Sequence, residues 1–144
     1  IRDRSPSRGL GDVYKRQRSS IRTPAGVARL TLAFIFFYHG LVPKILFQHP
    51  SEAALIEVHP IGIATNILIL AGGIAEIGLA VLLVLLWKKS WPLWVAGIAL
   101  TGLFMDVLMF SPEVTIQAFN PVSLTIASLA LVWIALQESR DDNT

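Results

Sequence analysis

Four ionisable side chains, His39, Lys44, Glu76 and Asp106, fall inside stretches of sequence that are otherwise apolar. In hydrocarbon, a charged Asp, Lys or Arg at mid-helix costs about 2.5–3.5 kcal/mol on insertion scales, so each such residue needs a partner or a task. A carboxyl held away from water favours its neutral form, and beside an imidazole it can bind or pass a proton. Glu76 with His39 is that combination, and Tyr38 brings a hydroxyl to the same region. The competing reading is that Glu76 bonded to His39 or Tyr38 only ties two helices together. Lys44 and Asp106 form a second candidate pair, with Asn66 as a third polar member and a structural role expected for all three. Lys44 can also extend to the headgroups.

Much other chemistry is excluded. The chain has no cysteine, which removes disulfides, Cys-ligated zinc, iron–sulfur clusters and thiol catalysis. His39, His49 and His59 are not at the i,i+3 or i,i+4 spacing that places two ligands on one helical face, so no metal site is expected. No Walker motif, dinucleotide fingerprint or nucleophile elbow is present. The residues thus imply no cofactor held by ligands of this chain and no catalytic centre of a hydrolase or nucleotide enzyme.

Residues 1–17 read as foreign. Asp12-Val13-Tyr14-Lys15-Arg16-Gln17 is what GAT GTG TAT AAG AGA CAG encodes, the end sequence of a transposon used to prepare sequencing libraries. Ile1-Arg2-Asp3 and Ser7-Arg8-Gly9-Leu10-Gly11 match the same adapter in other frames. The segment is expected to be adapter translation, with the native start lost and room for an upstream domain lost with it. Without it, seven Lys/Arg stand against eight Asp/Glu, so the formal charge of +2 carries no implication of nucleic-acid binding.

The remaining residues, 18–144, read as one domain whose solvent is the bilayer. Mean hydropathy is +0.61 with only 15% charged residues over 144 positions. Apolar runs near the length needed to cross a ~30 Å hydrocarbon core predict four spans, over 27–47, 63–87, 91–110 and 121–136. The second is apolar nearly all round, unlike a helix of a soluble bundle. Pro43 should kink the first span. Pro50-Ser51-Glu52 reads as the start of a short surface helix through Val58, Trp87-Lys88-Lys89 as an interface anchor, and Asn120-Pro121 as an N-cap and first helical residue. The expected fold is therefore all-α, an integral membrane bundle of four transmembrane helices.

Counting 1.5 Å per residue from the outer ends puts Lys44 about 5 Å inside Phe47 and Asp106 about 6 Å inside Phe110. On the same count His39 and Glu76 lie near mid-membrane, at about 12 and 18 Å. Two polar layers are expected: Lys44, Asp106 and Asn66 in the outer, and Glu76, His39 and Tyr38 in the inner. Gly72, Ala71, Ala75 and Gly78 form a small-residue strip beside Glu76 that permits close helix contact. Arg22 and Arg29 before the first span, Lys88 and Lys89 after the second and Arg140 after the fourth place both ends and the middle loop on the cytoplasmic side.

Three segments resemble the DoxX-like family of small four-helix bacterial membrane proteins, over about 29–136. They are Phe37-Tyr38-His39-Gly40-Leu41-Val42-Pro43-Lys44, Ala71-Gly72-Gly73-Ile74-Ala75-Glu76-Ile77-Gly78-Leu79 and Phe119-Asn120-Pro121-Val122-Ser123. In the first, Tyr38, Gly40, Leu41 and Lys44 satisfy the family's aromatic, Gly-Leu and Lys pattern. The family takes its name from a subunit of a thiosulfate:quinone oxidoreductase, and some relatives are fused behind NAD-dependent epimerase-like domains. The resemblance implies a multi-pass protein of the bacterial inner membrane, a non-catalytic subunit or anchor in a quinone or thiol redox system. Quinone would be its one ligand, and an oxidoreductase subunit, a lost NAD-dependent domain or further copies of the chain its partners. The alternative is a small proton-coupled transporter or channel using Glu76 and His39.

Overall fold

A computed structural model describes residues 23–118 and 120–141. The expectations that concern residues 1–17, Arg22 and Phe119, and the side chain of Arg140, lie outside what is described. The first helix, α1 (Pro24–His39), starts where Thr23 accepts a hydrogen bond from the Gly26 amide (3.1 Å) and Pro24 supplies a fixed φ at the first turn. It passes directly into a π-helical segment, Gly40–Leu46. Pro43 explains the change: it has no N–H to give, and its ring clashes with the carbonyl four residues back in an α-helix. The wider turn relieves the clash, and the bonds beyond it skip accordingly, Phe47 N–H to the Val42 carbonyl (3.1 Å) and His49 N–H to the Pro43 carbonyl (2.8 Å). The expected kink is thus a π segment.

Gln48, at a left-handed φ of 43°, turns the chain into a short helix, α2 (Pro50–Glu57). The cap is His49, whose Nδ1 accepts from the Ser51 amide (3.3 Å). A second left-handed residue, Gly62 (φ 72°), ends the connection. Then come α3 (Thr65–Leu85), α4 (Trp91–Phe110), a 3₁₀ turn (Pro112–Ile116) and α5 (Pro121–Asp141). Asn120 Oδ1 accepts from the Ser123 amide (3.2 Å), so the α5 start is capped as its sequence implied.

Four long helices make the bundle, and no strand occurs among the described residues. Pro24–Leu46, Thr65–Leu85 and Trp91–Phe110 are each long and apolar enough to cross a membrane, while the apolar part of α5, Pro121–Gln137, is shorter. Large apolar side chains face outward all around the bundle, among them Phe34, Ile98, Met109 and Trp133. Such a surface would aggregate in water and is what lipid chains solvate. The protein is a helical membrane protein.

Helix α1 lies in the middle, against α3 on one side and α5 on the other, with α5 also packed on α4. The main buried cluster lies toward one end: Ala28, Leu32, Ala33 and Phe36 from α1, Leu79, Ala80 and Leu83 from α3, Leu93 and Ala96 from α4, and Val132, Ala135 and Leu136 from α5, while Ile69 is buried toward the other. The ion pairs gather at the other end, which we call the polar end.

Candidate functional site

Two glycines set the geometry of the polar end. A Cβ on Gly40 would stand 2.6 Å from the Gly73 carbonyl oxygen, and one on Gly73 would stand 2.8 Å from the Gly40 carbonyl oxygen. The α1–π rod and α3 therefore touch backbone to backbone, which only glycine allows. They run antiparallel, since Gly40 meets Glu76 and Ile77 while Gly73 meets Lys44 and Ile45. Side chains on a helix lean toward its N-terminus. Lys44 accordingly leans back along its own helix and Glu76 leans the opposite way along α3, so the two converge beside the glycine contact. The Lys44 ammonium donates to Glu76 Oε1, and Glu52 of α2 approaches the same ammonium at 3.7 Å.

Lys44 and Glu76 are each 15% exposed, and Glu76 sits close to the midpoint of α3. A lone charge there would carry a large desolvation cost; the opposite charge in direct contact offsets much of it. The second carboxyl oxygen, Glu76 Oε2, is buried and has no hydrogen-bond partner among the described residues, and neither has Ser128 Oγ on α5. Unpaired buried acceptors of this kind are rare and usually have a reason in function or bound solvent.

A second pair closes the connection between α2 and α3. His59 Nε2 meets Asp106 Oδ1 of α4 at 2.9 Å, and the His59 ring packs on Phe110 with centroids 4.5 Å apart. At the opposite end of the bundle, buried Arg29 donates from Nε to the Leu83 carbonyl (2.7 Å) and from Nη2 to those of Leu86 (2.7 Å) and Lys89 (2.8 Å). Leu83 lies in the last turn of α3, Leu86 is its C-cap and Lys89 stands in the turn that follows, so one guanidinium reaches three carbonyls at the negative end of the helix dipole. Its carbon lies 5.8 Å from the centre of the Trp87 ring.

The expected layers are therefore paired differently. Lys44 bonds Glu76 and Asp106 bonds His59, in place of Lys44 with Asp106 and Glu76 with His39. Depth counting failed because it levelled the helix ends: the glycine contact sets the last turn of the α1–π rod beside the middle of α3, and α2 fills the space beyond. His39 and Tyr38 are exposed, with rings edge to face at 6.4 Å. They lie off the Leu32, Phe36, Gly40 stripe that α1 buries. Asn66 stays exposed on the first turn of α3. Close contact is made by Gly73, whereas Gly72 and Gly78 face open space. Glu52, His59 and the capping role of Arg29 were not anticipated; the only sequence signal for the first two was an acid and a histidine in a connection that has to fold back onto the bundle.

This arrangement can hold a charge pair inside a membrane and offer one carboxyl oxygen for a further hydrogen bond. Comparison with curated proteins and with solved structures found no match. A family model described as the DoxX-like family matches residues 33–133, which include the glycine contact, both ion pairs and most of the four long helices. The chain belongs to the DoxX-like family.

Proposed function

We propose that the protein is a non-catalytic membrane subunit or anchor in an oxidoreductase system, seated in the bacterial inner membrane with both ends cytoplasmic. The observation that carries this reading is the closed Lys44–Glu76 pair. A carboxylate whose charge is answered by a lysine one contact away is held in place, as suits a scaffold for a partner subunit. The grouping of Arg29 with the Lys88–Lys89 turn at the end opposite the ion pairs supports the orientation, because basic residues collect on the cytoplasmic side. Quinone remains the ligand that the family suggests, and Glu76 Oε2 would accept from the hydroxyl of its reduced form.

Purification from native membranes tests the proposal. A co-isolated oxidoreductase subunit or bound quinone supports it. A chain that runs alone, carries no quinone and whose deletion leaves membrane redox activity unchanged rules it out.

The buried, unpartnered Glu76 Oε2 favours one second reading, a small proton-coupled transporter. In it Glu76 works with Lys44, since His39 is directed elsewhere. Glu76→Gln should then abolish transport in proteoliposomes, and wild-type flux in that variant removes the reading.

A further inference from the structure

The segment between the π turn and α3 has the form of a moving part. Its two ends are marked by the two left-handed residues among those described, Gln48 at φ 43° and Gly62 at φ 72°. Between them α2 lies against α3, yet none of its residues is buried. Apolar contact therefore supplies little of what keeps it down, and segments with few buried contacts are the first to open. Two polar ties remain: Glu52 with Lys44 at 3.7 Å, and His59 with Asp106 at 2.9 Å backed by Phe110.

What lies beneath is the one charged group among the described residues with a buried, unmet hydrogen-bonding atom. The α1–π rod ends at Leu46, beside the middle of α3, so only Ile45 and Leu46 of the rod continue past Lys44 toward the polar end. The segment that takes its place is 48–62, and under it Lys44 and Glu76 keep only 15% of their side-chain surface. We propose that residues 48–62 form a hinged strap, held shut by Glu52 on Lys44 and His59 on Asp106, whose release opens the Lys44–Glu76 pair to water at the polar end. Each tie joins the strap to a different helix, so either can be cut while the other holds. Rotation at Gln48 and Gly62 lets the strap leave without disturbing the apolar core at the far end.

The absence of cysteine makes the test direct. Ala54→Cys on α2 and Val95→Cys on α4, both exposed, accept two spin labels in the full chain reconstituted in nanodiscs. Double electron–electron resonance then reads the distance between strap and bundle. In Glu52→Gln and in Asp106→Asn a second, longer distance should gain population by about fivefold, the shift expected when one ion pair or hydrogen bond of modest net worth is lost. Glu113→Gln, exposed on the 3₁₀ turn and tied to neither pair, should leave the distribution as in the parent. One narrow distance, identical in the parent, Glu52→Gln and Asp106→Asn, overturns the proposal. If Asp106→Asn fails to fold, Glu52→Gln decides alone, because Glu52 reaches only its partner lysine from an exposed helix.

Discussion

Two adjacent glycines should respond in opposite ways to the same added methyl group. Gly73→Ala places a Cβ 2.8 Å from the Gly40 carbonyl oxygen and close to Lys44 Cβ (3.0 Å) and Ile45 Cγ1 (3.1 Å). The first of these is backbone and cannot rotate away. To bring it out to ordinary contact at 3.4 Å, the two helices must part by about 0.6 Å. A gap of 0.5–1 Å forfeits roughly a quarter to a half of each dispersion contact along the seam, and overpacking of this kind costs about 1–3 kcal/mol. It also draws Lys44 away from Glu76. Gly72→Ala meets nothing within 4 Å and replaces a poor helix former with the best, so it should be neutral or stabilise by up to about 1 kcal/mol. The measurement is reversible unfolding in mixed micelles, comparing each variant with the parent. Equal stability of Gly72→Ala and Gly73→Ala would refute the reasoning, since the contact between Gly40 and Gly73 would then not set the approach of α1 and α3.

Other perturbations test the remaining contacts. Lys44→Met strands the Glu76 carboxylate and should cost about 3–5 kcal/mol, whereas Lys44→Met with Glu76→Leu should recover most of that loss; unfolding of the two variants in one detergent decides it, and a double variant no better than the single contradicts the pairing. Arg29→Lys keeps the charge but loses the fork that reaches three carbonyls, so it should retain little of the stability lost in Arg29→Met. Parity of Arg29→Lys with the parent would show that charge alone suffices there. Asn120→Ala removes the acceptor for the Ser123 amide and should lower stability by about 1 kcal/mol, seen as earlier hydrogen exchange in the first turn of α5; unchanged exchange there means the cap is idle.

The helices were legible because their signals are local. Runs of apolar residues and the punctuation of Pro50-Ser51-Glu52 and Asn120-Pro121 lie within a few positions of the ends they mark, and the expected third span coincides with Trp91–Phe110. The fourth extends beyond its apolar part, from 136 to Asp141, because a helix need not stop where its hydropathy does. The ionisable residues were legible too, but their partners were not. Pairing depends on which helices are neighbours and on their axial register, and the depth count set Lys44 and Glu76 about 13 Å apart, more than two turns, although the two meet. The register is fixed by Gly40 and Gly73, and in sequence Gly73 is indistinguishable from Gly72, which faces open space.

Arg29 shows the same limit from the other side. By sequence it is one more basic residue near the start of a span, fit to be counted toward orientation and nothing else. In the structure it is 3% exposed and closes a helix fifty-four residues away, and it does so because Ala28, Leu32 and Ala33 pack the first turns of α1 against the last turns of α3. It gathers the carbonyls of Leu83, Leu86 and Lys89 around the end of α3, which a small apolar residue at position 29 could not do. The two ends of the α1–α3 seam are thus fastened differently: a guanidinium on backbone carbonyls beside a closed apolar core at one, and a lysine between two carboxylates under a segment without a buried residue at the other. The proposed motion belongs to the second end, since there each fastening is a side-chain pair that a single competing donor or acceptor can replace.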